Sequence, residues 1–322
     1  MLGVALLTLL LAGAVIVRLA IGRDQHGLIF RFEFLDERVL RVLAGGTVGV
    51  ALAAAGVFLQ SLLRNPLASP DILGLSAGSG LGVMVAAYLA FLAGHGISGA
   101  ESLGISNAIA STIGALVAIT IVYLLAQRRG VLEPTSLVLV GVVVAMMCGA
   151  GTMLVRQLLP DQGLASGRLL LGAVRDVTPR ELYIVTPICL ATALVGASWA
   201  RAMDAASLSD DETRTLGVPL GLLRAVLFIA AAVLTAGSVL LAGPVGFVGL
   251  IAPHMGRLLI GPRHGPLILA SCLCGAIVVI FCDAMVRAID LGSGQFPIGV
   301  LTALAGGPVL ISLLRRRRAD LT

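Results

Sequence analysis

The chain has 322 residues, of which 58% are hydrophobic and 12% charged, and its formal net charge is +5 at pH 7. Soluble domains carry roughly 25% charged residues, so a chain this apolar cannot hide its surface in one soluble core; lipid has to be the solvent on most faces, and the 40 glycines suit helices that pack by close backbone approach. Every basic residue is arginine, which excludes a conventional P-loop ATPase, whose lysine must reach the phosphates, while the run Arg315 to Arg318 is a tail of the membrane-surface type and not a nucleic-acid signal.

Taken in chain order, apolar runs long enough to span a bilayer, at roughly 20 residues each, fall at 2–22, 39–63, 72–94, 103–126, 136–159, 181–200, 221–243, 266–288 and 296–314. A shorter run at 244–260, broken by Pro244 and Pro253, makes ten. The first lacks the basic region of a signal peptide and reads as an uncleaved helix. The expected fold is an all-α polytopic membrane protein. Ten spans put both termini on one side. With Arg315 to Arg318 in the cytoplasm, Arg64, Arg128, Arg129, Arg201, Arg214, Arg257 and Arg263 join them. Arg23, Arg31, Arg38, Arg41, Arg168, Arg175, Arg180 and Arg287 fall outside. Residues 1–322 form one membrane domain: a first half to about 200, a cytoplasmic loop at 201–219 and a second half from 220. Spans two to five and seven to ten match in number but start from opposite sides, as in an inverted repeat.

Arg38 and Arg41 share a helical face at the outer start of the second span, either as interface anchors or as a positive contact for an acidic partner. That span ends at Arg64, whose charge suits a helix C-terminus; Asn65-Pro66 stops it and Pro70-Asp71 opens the next. Gln60, an amide inside an apolar helix, either joins helices or lines a pathway. Gly74-Leu-Ser-Ala-Gly78 imitates a hydrolase nucleophile motif, but the required preceding strand is missing from the pattern. Cys148, Cys189, Cys272, Cys274 and Cys282 all sit in apolar runs as small buried residues.

In the 201–219 loop, Ser209 and Glu212 have capping-box spacing, the first turn is acidic, and Gly217-Val-Pro219 supplies a stop, so a short surface helix is expected at Asp210 to Leu216. Glycines and prolines break the segment Leu241 to Arg257, a pattern tolerated where freed backbone is buried in protein or faces a cavity. His254 there has no second metal ligand at suitable spacing, and a capping or gating hydrogen bond is expected of it. Asp283 and Arg287, four apart near the outer end of the ninth span, have the spacing of an intrahelical ion pair.

Together these pieces resemble the FecCD/BtuC family, the permeases of type II ABC importers. The resemblance rests on Arg38-Val-Leu-Arg41, Gln60 to Gly78, Ser207 to Gly217, Gly246-Phe-Val-Gly-Leu250 with Pro253-His254 and Arg257, Asp283 to Arg287, and Pro297-Ile-Gly-Val to Pro308, in that order. It departs at Leu40, where the family usually has proline, and at Gln295-Phe296, where an acidic residue commonly precedes the Pro-Ile-Gly-Val motif. The resemblance implies a permease dimer, with a homodimer expected, two cytoplasmic ATPase subunits, and a periplasmic or lipid-anchored binding protein, in the bacterial inner membrane with both termini cytoplasmic. It implies that Ser207, Leu208, Ser209, Asp210, Asp211, Glu212, Arg214, Leu216 and Gly217 couple to the ATPase. It further implies that Arg38, Arg41 and Arg287 dock the binding protein, and that Pro134, Thr135 and Ser136 line the pathway and its gate, to which Gln60, Asn65, Pro66, Pro253 and His254 are added as candidates. No catalytic residue, metal or cofactor is expected in this chain; ATP and Mg belong to the partner ATPase. The expected cargo is a ferric siderophore, the family's commonest, with haem or cobalamin as alternatives. An ion-coupled carrier using Asp283 and an intramembrane enzyme using Ser76 or His254 are the competing classes.

Overall fold

A computed structural model describes residues 2–24, 27–30, 35–96, 106–128, 131–159, 177–288, 297–304 and 306–308. The tail Arg315 to Arg318, parts of the loop between the first and second apolar runs, Arg129, Arg168 and Arg175 lie outside the described residues. The long apolar helices are α1 (Leu2–Ala20), α2 (Leu35–Leu62), α3 (Leu75–Leu92), α4 (Asn107–Leu125), α5 (Pro134–Leu158), α6 (Pro179–Ser198), α9 (Leu220–Ala242) and α11 (His264–Ala288). Among the described residues these eight are long and apolar enough to cross a membrane. Two shorter apolar helices, α10 (Val248–Ile260) and α12 (Ile298–Pro308), complete the ten expected. The 201–219 loop carries not one helix but two, α7 (Ala200–Ala205) and α8 (Asp210–Thr215). The loop between α1 and α2 contains an unexpected hairpin, β1 (Ile21–Asp24) antiparallel to β2 (Gly27–Phe30), and a second small ladder joins β3 (Gln127–Arg128) to β4 (Val131–Leu132).

Local chemistry explains the helix ends. Thr178 and Glu181 form a capping box at the start of α6, Ser209 and Glu212 form another at α8, and the Ser106 hydroxyl accepts from the Ile109 amide at α4. The turn after α2 is less simple than its two prolines suggest. Arg64 takes a left-handed conformation, φ 46°. Pro70 opens a 3-10 turn, Pro70–Leu73, instead of α3 itself, and Gly74 at φ 78° restarts the chain as α3.

The second helix is the spine. It is buried over most of its length and packs against α1, α6, α9, α10 and α11, while α3, α4 and α5 form a second group joined to it through α9. With lipid outside, packing and not water exclusion drives helix association, so small residues sit where backbones meet. A Cβ on Gly49 would strike the Gly275 backbone of α11, and one on Gly56 would overlap the Gly249 carbonyl of α10. Gly56→Ala is therefore expected to cost about 1–3 kcal/mol, read as a lowered thermal unfolding midpoint of the purified chain; an unchanged midpoint would contradict this packing.

The same contact places the break before α10, which runs on through Pro253 without the interruption expected there. Gly56 lies six residues before the end of α2, about 9 Å along its axis at 1.5 Å per residue. The N-terminus of α10 thus starts inside the bundle, and its 13 residues, about 20 Å long, run out to the Arg64 end without crossing the whole core.

Candidate functional site

Three places concentrate polar side chains. The first is the Arg64 end of the bundle, where the 201–219 loop is fastened to three long helices. Asp210 accepts from Arg224 Nη2 of α9 at 2.8 and 3.0 Å and pairs with Arg64 Nη2 at 2.7 Å. Arg64 Nε also donates to the Ala206 carbonyl at 2.7 Å. Asp204 accepts from the His264 backbone amide at 3.0 Å and meets His264 Nδ1 at 2.7 Å, which ties α7 to the start of α11. Thr213, fully buried, donates to the Ser209 carbonyl at 2.7 Å and the Ala205 carbonyl at 3.2 Å, folding α8 back onto α7.

Electrostatics follow from this geometry. Burial by itself would raise the Asp210 carboxyl, but the hydrogen bond and charge of Arg224, reinforced by Arg64, outweigh it and hold the group below its ordinary 3.8. The hydroxyl and amide of Ser209 hold the Glu212 carboxyl below its ordinary value. Ser207, Asp211, Arg214 and Gly217 are exposed, and so are two apolar side chains, Leu208 at 45% and Leu216 at 61%. Of the nine loop residues singled out by sequence, Asp210 turns inward as an anchor while Leu208, Asp211, Arg214 and Leu216 face outward.

The second place is the interior break. Gln60 is only 3% exposed. Its amide donates to the Ala68 carbonyl at 3.2 Å and the Gly249 carbonyl at 3.3 Å, and its carbonyl oxygen accepts from Arg257 Nη2. This amide thus joins α2 to α10, and the same side chain also lines a cavity at the Arg64 end. Asp71 bridges the two breaks: Ser76 donates its hydroxyl to one carboxylate oxygen and the Phe247 amide to the other at 3.4 Å. Ser76 lies in the first turn of α3, with no strand before it. Asn65 is exposed and its side-chain oxygen accepts from the Leu67 amide at 3.0 Å, while Pro66 is half-buried. Pro253 is buried within α10 and His254 beside it half-buried. Pro134 is the first residue of α5, Thr135 is exposed, and Ser136 donates to the Glu133 carboxylate at 2.8 Å.

The third place is the opposite end. The expected pair of Asp283 with Arg287 does not form. Asp283 takes Arg18 of α1 as its ion-pair partner, with side chains 8% and 1% exposed. Spacing along one helix favoured Arg287, but a carboxylate at this depth is satisfied by the charge that shares its buried space, and α1 brings Arg18 there. Arg38, half-buried, donates to the Leu19 carbonyl at 2.6 Å. Arg41 and Arg287 are also half-buried, and the Arg287 Nε is a buried donor without a partner. Sequence reasoning missed Arg18, Asp204, Arg224 and His264. Arg18 had a signal, a charge in the last turn of an apolar helix; Arg224 had a weaker one, a charge within the first two turns of another.

Comparison with known proteins covers nearly the whole chain. Residues 2–316 match the model of the FecCD transport family. The cobalamin import system permease BtuC of Halobacterium salinarum is 33% identical over 285 residues, which is 87% of this chain and 72% of that protein. The hemin transport permease HmuU of Yersinia pestis is 32% identical, covering 88% of this chain and 84% of its own length. The ferric enterobactin permease FepG of Escherichia coli is 33% identical over 86% and 80%. A metal-chelate type ABC transporter solved in an inward-facing conformation matches with a TM-score of 0.79 and 26% identity, over 97% of this chain and 98% of that one.

Proposed function

Because the chain belongs to the FecCD transport family, we propose that it is the membrane subunit of an ATP-driven importer whose cargo is a ferric siderophore, and that it performs no covalent chemistry itself. Ferric-chelate, haem and cobalamin importers all occur among its relatives. The siderophore reading rests on that company, and haem and cobalamin are the alternatives. The chain sits in the bacterial inner membrane with both termini and the 201–219 loop cytoplasmic. Two copies pair, two ATPase subunits bind below, and a binding protein docks above on Arg38, Arg41 and Arg287.

The observation that carries the mechanism is the fastening of the loop to α2, α9 and α11 through Arg64, Arg224 and His264. A push on α7 and α8 by a closing ATPase passes straight into three membrane helices, of which α2 is the spine. Exposed Leu208 and Leu216 offer apolar knobs to that partner. The fifth helix keeps little of itself buried within the chain and exposes Met146, Met147 and Met153. Such a face suits a second copy across a cargo path, since methionine adapts to varied surfaces.

Uptake of radiolabelled ferric siderophore, haem and cobalamin, in iron-limited cells with and without this gene, tests the reading. Loss of siderophore uptake on deletion, restored by the wild-type gene, is the expected result. Loss of haem or cobalamin uptake alone would replace the cargo. No change for any of the three would overturn the proposed cargo class.

A further inference from the structure

Beside the fastened loop, between α2, α7 and the corner joining α10 to α11, lies a cavity of about 440 Å³. Arg64, Arg257, Arg263, His264, Asp204 and Ser207 are among the residues lining it. Its charges do not cancel. Arg64 is answered by Asp210, and Asp204 by His264. Arg257 has only the neutral amide of Gln60 against its guanidinium, and Arg263 is exposed. Among the described residues, neither of these two side chains makes an ion pair with a carboxylate. Two uncompensated guanidinium groups therefore border one concavity, which also offers the Ser207 hydroxyl as a donor.

We propose that this cavity binds a phosphate group, held by Arg257 and Arg263. Guanidinium forks match phosphate oxygens in pairs, and a half-buried guanidinium without a counter-ion gains most from one. The place favours the phosphate of an anionic lipid headgroup. It lies at the end of the membrane helices, and the same turn of α10 that carries Arg257 exposes Leu258 at 66% and Leu259 at 42%, apolar surface suited to acyl chains. Basic pockets between membrane helices on the cytoplasmic side hold such headgroups. A bound headgroup would lie against α7 and α10 at once, bracing the loop beside its Arg64 anchor. The cytoplasmic placement rests on the proposed orientation, whereas the transport reading itself is not required, because binding is a property of this chain alone.

The test uses the full chain purified in a neutral detergent. Three probes are titrated while thermal unfolding is followed: dioctanoyl phosphatidylglycerol, dioctanoyl phosphatidylcholine and inorganic phosphate. Saturable stabilisation by phosphatidylglycerol, weaker by phosphatidylcholine, is expected, with affinity at least tenfold lower in Arg257→Gln/Arg263→Gln. Arg263→Gln alone alters an exposed side chain and keeps the Gln60 contact, so it reads the site even where the double variant folds poorly; at least a threefold loss is expected. Saturation by inorganic phosphate, with the same dependence on Arg263, would support the site and identify a free anion as the occupant. Equal affinities in wild type and both variants, or no saturable binding of either anion, would overturn the proposal and leave the cavity to a carboxylate of a partner protein.

Discussion

Asp210→Arg is expected to lower cargo uptake at least tenfold while the chain still reaches the membrane in near-normal amount. The carboxylate joins α8 to both Arg64 and Arg224. Reversing its charge sets three cations against one another at the loop, where like charges repel and the loop detaches from α2 and α9. The bulk of the fold does not depend on this contact, since both arginines reach it from helices that pack elsewhere along their lengths. Arg224→Asp in the same chain restores an opposite-charge pair and should recover part of the uptake, which a simple folding defect would not allow. Undiminished uptake in Asp210→Arg would refute the role of the fastened loop.

The pH dependence of this anchor has a definite sign. A carboxyl held below its unfolded value contributes stability that is fully present above the unfolded value and is lost as pH falls through the folded one. For Asp210 that window lies below 3.8. The Asp210 contribution to loop anchoring should therefore be flat over roughly pH 5 to 8, measurable as a constant difference between wild type and Asp210→Asn in the rate of limited proteolysis within 201–219.

Breaking the Arg18–Asp283 pair should have the largest effect on stability. Both side chains are buried, and removing one partner leaves the other as an uncompensated charge, a loss of about 3–5 kcal/mol. Asp283→Ala and Arg18→Ala should each reduce the yield of folded protein sharply, and the double variant should recover much of the difference. A double-mutant cycle read by chemical unfolding in detergent should give a large coupling between Asp283 and Arg18 and a coupling near zero between Asp283 and Arg287. A large coupling to Arg287 instead would restore the intrahelical pair that spacing alone suggested and contradict the observed geometry. Among the described residues the Arg18 Nη2 has no hydrogen-bond partner.

Much of the fold was legible because it depends on local chemistry. Hydropathy places the ten apolar segments, since a segment's transfer into lipid is set by its own residues. The capping-box spacing of Ser209 and Glu212 marks a helix start through side chains three residues apart. The loop helix was expected at Asp210 to Leu216 and lies at Asp210–Thr215. The hairpin at Ile21 to Phe30 was not legible: its ladder pairs residues in a polar loop with no strand alternation to announce it. The 3-10 turn at Pro70 was hidden because proline starts either helix type equally well.

By itself, then, the sequence determined a membrane chain of ten apolar segments, an acidic loop helix, the polar break at Asn65 to Asp71, the glycine- and proline-rich interruption within Leu241 to Arg257, and the family to which these pieces belong. Only the tertiary structure decided the partners: Arg18 for Asp283 across 265 residues, Arg64 and Arg224 for Asp210, Arg257 for Gln60. The physical reason is range. Transfer energies, caps and helix spacing act within a few residues of the chain, whereas a buried charge is answered by whichever opposite group the packed helices bring into the same low-dielectric space.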